Sequence, residues 1–113
     1  MAKQPCVYIL ESRRNGTIYI GVTSDLLARL YKHREGLTRG FAAEHNVYRL
    51  VHYEMLDTMA AAIRREKQLK AWRRAWKVAL IEEQNPFWED RALELGFEPV
   101  VPHAATRFTS SRT

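Results

Sequence analysis

The sequence predicts a small α/β domain of the α+β kind: a three-stranded antiparallel sheet flanked by helices, in the order ββαβαα. Three observations carry that prediction. Two β-rich runs, residues 6–11 (CVYILE) and 17–23 (TIYIGVT), are separated by five residues ending in Asn15-Gly16, the strongest short-range hairpin signal. A third β-rich run, Arg49–Met55 (RLVHYEM), stands alone in the middle of the chain. The segments between and after these runs carry helix caps and apolar residues at helical spacing.

Taken in order, Asn15 and Gly16 are expected at the centre of a two-residue loop, which sets Tyr8 opposite Thr23. Val7, Ile9, Ile18, Ile20 and Val22 then share one face, and Tyr8, Leu10, Tyr19, Gly21 and Thr23 the other. Ser24-Asp25 supplies an N-cap for LLARLYKHRE, Gly36 ends that helix, and Leu26, Leu27, Leu30 and Tyr31 form its buried stripe. Residues 37–48 read as a loop before the third strand. Thr58 caps a helix beginning MAAAIRREKQLK, a break falls near Trp72-Arg73, and Asn85-Pro86 stops the last helix at about Gln84. Segment 82–98 holds six acidic residues and one basic residue, so charge is segregated along the chain. Residues 1–98 form the single domain, and the Pro-, Ser-, Thr- and Ala-rich residues 99–113 a frayed tail.

Composition narrows the function. With 46% hydrophobic and 27% charged residues the chain is globular. Its longest apolar run is five residues, against the roughly 20 that cross a bilayer. MAKQPCVYIL has no signal-peptide pattern, and the single cysteine, Cys6, makes neither an internal disulfide nor a cysteine-based zinc cluster. A cytoplasmic protein without a membrane partner is expected. The net charge of +5 favours a polyanionic partner, nucleic acid before membrane.

Glu66 is the most informative anomaly. Met59, Ala62, Ile63 and Leu69 define an apolar stripe with Glu66 in its middle, while Arg64, Arg65, Lys67 and Gln68 point elsewhere. An inward carboxylate needs a cation, hydrogen-bond donors or a metal; the plainer alternatives are a salt bridge to an arginine of the first helix or a stripe edge open to water. Arg29 and His33, four apart, stack on one side of the first helix, where they suit phosphate binding and proton transfer or are simply solvated. Tyr8 and Tyr19 are strand aromatics that share a face. Arg64–Lys77 (RREKQLKAWRRAWK) holds seven basic residues, Arg64, Arg65, Lys67, Lys70, Arg73, Arg74 and Lys77, which read as a nucleic-acid-binding face. Trp72 and Trp76 within it read as core residues. No P-loop, dinucleotide fingerprint, H-E-x-x-H or paired-cysteine motif is present.

With these residues assembled, the chain resembles the GIY-YIG nuclease superfamily, in particular its small stand-alone excision-nuclease-like domains, over about residues 5–90. Tyr19-Ile20-Gly21 is the YIG element, and Cys6-Val7-Tyr8 stands at the GIY element with only its tyrosine kept. Arg29 and His33 fall at the helix arginine and the His or Tyr after it. Glu66, in AIRREKQLKAW, matches the metal-binding glutamate, and Asn85-Pro86-Phe87-Trp88 resembles the closing asparagine element. The resemblance implies a divalent-metal-dependent DNA endonuclease, in DNA repair or processing. Glu66 would hold one Mg²⁺ or Mn²⁺, Arg29 the phosphate, and Tyr8, Tyr19 and His33 the attacking water, with Asn85 orienting neighbours. Tyr8, Tyr19, Arg29 and Glu66 are then expected to converge on one cleft.

Cys6 replaces the glycine of the first motif. Val22 stands where repair-incision and some restriction relatives carry lysine after YIG, which shifts the general-base role toward His33. A homodimer or a partner protein is expected to supply the specificity that appended DNA-binding domains give other relatives. The competing expectations are a catalytically weak nucleic-acid-binding module that keeps the fold, and a protein–protein adaptor.

Overall fold

The computed structural model describes residues 3–13, 16–34 and 47–98. The elements are β1 (Cys6–Glu11), β2 (Ile18–Thr23), α1 (Leu26–Arg34), β3 (Arg49–Met55), α2 (Met59–Ala71), α3 (Arg74–Gln84) and a final 3₁₀ helix (Arg91–Leu95). Apart from the 3₁₀ helix, this is the expected ββαβαα order. The expectations for Asn15, for Gly36 as a helix stop, for most of the 37–48 loop and for the 99–113 tail fall outside the described residues.

The sheet is antiparallel with order β2-β1-β3, so β1 is central and all six of its residues are buried. The first strand pair is shifted by two residues from the expected register. Tyr8 faces Gly21 rather than Thr23, and the Gly16 N–H donates to the Arg13 carbonyl at 2.7 Å, so Gly16 flanks the turn instead of centring it. A shift of two preserves which side chains share a face. One packed face therefore holds Cys6, Tyr8 and Leu10 with Leu26 and Leu30 of α1. The other holds Val7, Ile9, Ile20 and Val51 with Ala62 and Leu69 of α2 and Ile81 of α3. β3 carries a bulge where the register slips between Ile9 and Leu10.

Asp25 caps α1 by accepting from the Ala28 N–H, and Thr58 caps α2 by accepting from the Ala61 N–H, each satisfying a donor that the helix cannot. In α1, Leu26 and Leu30 are buried as expected, but Tyr31 is 54% exposed. His33 and Arg34 have polar partners inside the fold and rotate the stripe toward themselves. The Arg34 guanidinium pairs with Asp90 at 3.1 Å and donates to the Glu98 carbonyl at 2.7 Å, tying α1 to the terminal segment.

Asn85 ends α3 and closes the following turn. Its amide donates to the carbonyls of Val51 and Glu89 and accepts from the Glu89 N–H, at 3.1, 2.9 and 2.9 Å. This turn delivers Trp88 into the core with a left-handed backbone (φ 56°), a conformation costing a bulky residue on the order of 1–2 kcal/mol. Packing and the indole N–H bond to Glu82 Oε2 at 2.6 Å hold it there. Asn85→Ala removes three hydrogen bonds to the backbone, one of them buried and two part-buried. It should cost about 3 kcal/mol and lower the thermal midpoint by roughly 10 °C, read by circular dichroism; an unchanged midpoint would show that the turn holds without the amide.

Candidate active site

Tyr8, Tyr19, Arg29 and His33 meet on the α1 side of the sheet. Strand alternation puts both tyrosines there, and the four-residue spacing on α1 presents Arg29 and His33 to them. Arg29 Nη1 donates to the Tyr8 hydroxyl at 3.4 Å, and His33 Nε2 lies 3.1 Å from the same oxygen. The His33 ring packs 5.9 Å from Tyr8 and 5.7 Å from Tyr19, and the two tyrosine rings are 6.2 Å apart. Tyr8 is fully buried, while Tyr19, Arg29 and His33 are partly exposed. The hub is thus a buried phenol, and the groups around it reach solvent.

Gly21 makes this packing sterically possible. A Cβ at Gly21 would lie 2.5 Å from the Tyr8 hydroxyl oxygen and 2.6 Å from its ring carbon Cζ. The glycine of the YIG element therefore seats the tyrosine of the neighbouring strand, which also accounts for the observed register.

The electrostatics differ from residue to residue. Burial pushes the Tyr8 phenol above its ordinary pKa of 10, Tyr19 adds to the rise and Arg29 opposes it; Tyr8 stays protonated. Burial, and then the Arg29 charge, pull His33 below its ordinary 6.5, so the imidazole is neutral at pH 7. Among the described residues no carboxylate pairs with Arg29, whereas Arg34, Arg49, Arg65 and Arg91 each pair with an acid. Burial likewise raises the Cys6 thiol to about 12, which removes it as a nucleophile.

Glu66 enters from the other side of the sheet. Its carboxylate pairs with Lys70 at 3.0 Å; Glu66 is 16% exposed and Lys70 54%. The partner is neither an arginine of α1 nor a buried cation, but a surface lysine one turn along the same helix. The stripe also differs from expectation. Ala62 and Leu69 are buried, while Met59 and Ile63 are 39% and 38% exposed, because α2 is rolled toward Arg65. The elements common to Glu66 and the tyrosine network are β2 and β1: α2 packs on both, Tyr19 and Gly21 belong to β2, and Tyr8 belongs to β1.

Arg65 does not point away from the fold as expected. It forks onto Glu54 of β3 at 2.8 and 3.0 Å. Glu54 is held down at about 2, first by the hydrogen bond from His52 and then by Arg65, against burial acting the other way. Sequence reading missed Glu54, which stands opposite Val7 on the α2 side of the sheet; its alternation with His52 along β3 is the signal that could have found it. Arg74 donates to the Gly16 carbonyl at 2.7 Å, which leaves Arg64, Lys67, Arg73 and Lys77 of the expected basic face outside any ion pair among the described residues. Asn85 has its amide engaged at the β3 end of α3, on the side of Val51 rather than of the tyrosines. Trp72 packs against the core as expected, but Trp76 is 50% exposed.

Comparison with known proteins matches residues 4–79 to the GIY-YIG catalytic domain. A UPF0213 protein of Syntrophus aciditrophicus is 38% identical over 81 residues, covering 71% of this chain and 91% of that protein. The UPF0213 protein SSP2268 of Staphylococcus saprophyticus is 32% identical over 77 residues, covering 68% and 93%. The NMR structure of the UPF0213 protein BH0048 from Bacillus halodurans superposes with a TM-score of 0.50 at 31% identity, covering 77% of this chain and 92% of that one.

Gly21→Ala tests how tightly the hub is packed. The added methyl must displace the Tyr8 ring, which should cost about 1–3 kcal/mol in urea unfolding and move the Tyr19 and His33 ring resonances. A variant with native stability and native ring shifts would mean that the ring has room to move.

Proposed function

The chain belongs to the GIY-YIG family, a nuclease-type family, and on that premise we propose that it is a divalent-metal-dependent endonuclease hydrolysing DNA phosphodiester bonds in repair or processing. One observation carries the reading: Arg29, a guanidinium without a carboxylate partner among the described residues, is held against a neutral histidine and a protonated phenol. A site with a free cation and a neutral base suits a phosphate diester and the water that attacks it.

The donor set fits a hard divalent ion. Among the described residues no three His, Cys, Asp or Glu gather to cage a metal, and Mg²⁺ is commonly held by one or two carboxylates completed by water and substrate phosphate oxygens. Glu66 would be that carboxylate for Mg²⁺ or Mn²⁺, with the exposed Lys70 free to release it. Bound there, the ion would neutralise charge developing on the phosphate.

The remaining chemistry belongs to the chain. Arg29 binds a non-bridging phosphate oxygen and stabilises the charge that grows on it. The Tyr8 oxygen accepts from Arg29, with His33 Nε2–H assigned as a second donor to it across the 3.1 Å contact. That tautomer leaves His33 Nδ1 unprotonated. His33 Nδ1 takes the proton of the attacking water, whose oxygen bonds to phosphorus. The ester oxygen departs with the electron pair and is protonated by solvent. Tyr19 positions the water, and Val22, in place of lysine, leaves the base role with His33.

Cleavage of single-stranded, duplex, flap and nicked DNA with Mg²⁺ or Mn²⁺ tests the proposal. Glu66→Gln should abolish cleavage and preserve DNA binding. Because its partner is an exposed i,i+4 lysine, the melt without metal should change by no more than about 0.5 kcal/mol. In the wild type the rate should fall as pH drops through the lowered His33 pKa, below 6.5, and His33→Gln should remove that limb. Binding without cleavage under every condition would instead support a nucleic-acid-binding module that keeps the fold.

A further inference from the structure

The corner between α2 and α3 carries an aromatic chain that the hydrolytic chemistry does not use. It begins in the sheet, where Glu54 forks Arg65. The Arg65 guanidinium lies over the Trp72 ring, 5.3 Å from its centroid. Trp72 meets Trp76 edge to face, with centroids 6.0 Å apart and planes at 86°. Arg73 in turn lies over the Trp76 ring at 4.7 Å. Trp72 packs on the core, yet Trp76, at the far end, is half exposed. An indole is costly to leave in water, and this one is braced from the core outward rather than free to fold back.

The charge around it indicates what it meets. Arg73 is exposed beside the ring, Lys77 stands one turn along α3, and Arg64 and Lys67 line the outer side of α2. The acidic residues of the chain's end are concentrated instead in segment 82–98. Exposed aromatic surface among unpaired cations is complementary to an unpaired nucleobase with its phosphates: the base stacks on the ring and the cations neutralise the backbone. A duplex offers phosphates but keeps its base faces covered.

We propose that Trp76, with Arg73 and Lys77, is a stacking site for one unpaired base of a single-stranded nucleic-acid segment. Trp72 and Glu66 are six residues apart, roughly 9 Å along a helix axis, so a strand anchored at this corner continues along α2 toward the carboxylate assigned to the metal. The site rests on the nucleic-acid reading of the protein but not on catalysis.

Fluorescence anisotropy in EDTA, with labelled single-stranded oligonucleotides and a duplex of equal length, tests it without cleavage. Trp76→Ala should weaken single-strand binding roughly 5- to 150-fold, the range of one base–aromatic stack, and duplex binding by less than about twofold. Trp76→Phe should restore part of the loss. Arg73→Gln should lower the salt dependence of both. Equal losses for single strand and duplex, or no loss for either, would overturn the stacking site while leaving the nucleic-acid reading intact. Failure of the wild type to bind either DNA would overturn that reading itself, and preferential displacement by an acidic peptide would assign the corner to a protein partner.

Discussion

A hydroxyl buried in the middle of the central strand constrains the whole site. Tyr8 lies on β1 with neighbours on both edges and helices on both faces, so its phenol reaches no solvent. A buried hydroxyl without a partner costs on the order of 1–3 kcal/mol, and α1 is oriented to meet it. Arg29 and His33 turn inward to the oxygen and Tyr31 turns out. The strand beside Tyr8 must carry no side chain at the contact, which places Gly21 opposite and fixes the pairing of β1 with β2. Register and helix rotation thus follow from one phenol, and the helix rotation buries His33 beside Arg29, which keeps the imidazole neutral.

The charges divide along the same lines. Arg34, Arg49 and Arg65 pair with acids on other elements and hold segments together. Arg91 pairs with Glu94 within its own 3₁₀ helix, and Arg29 donates to the phenol with no acid partner among the described residues. Arg65 shows how a cation on a basic face can be structural: forked onto Glu54, it stiffens α2 and supports Trp72. Lys70 is the opposite case, an exposed ammonium whose pair with Glu66 contributes little to stability and can be exchanged for another cation. Strands β1 and β2 are shared by the two halves of the candidate site, with tyrosine, glycine and arginine chemistry on one face and the glutamate helix on the other.

Local chemistry explains what was legible in the sequence. The span of β3, the Thr58 cap, the break at Trp72-Arg73 and the stop at Asn85 all follow from residues within a few positions of each boundary. Face assignment in the sheet survived even though the register was two residues off, because alternation depends only on parity. The rest is decided at a distance. The Asn15-Gly16 signal ranked turn chemistry above the Tyr8–Gly21 contact, which links residues thirteen positions apart. The α1 stripe was assigned by hydrophobicity, but His33 and Arg34 are drawn inward by Tyr8 and Asp90. Residue type places Trp76 in the core, yet it is half exposed, and the roll of α2 toward Glu54 cannot be read from α2 alone. The left-handed Trp88 depends on Asn85 reaching β3 across 34 positions.

The proposed hydrolysis requires a neutral His33 with its proton on Nε2, toward the Tyr8 oxygen, and an unprotonated Nδ1. Nitrogen-15 NMR of the imidazole at pH 7, in the wild type and in Tyr8→Phe, measures this directly. The expected result is a neutral ring with the proton on Nε2 in the wild type, and a loss of that tautomer preference in the variant. A protonated imidazolium at pH 7, or a proton on Nδ1 in both proteins, would contradict the assignment of His33 as the base.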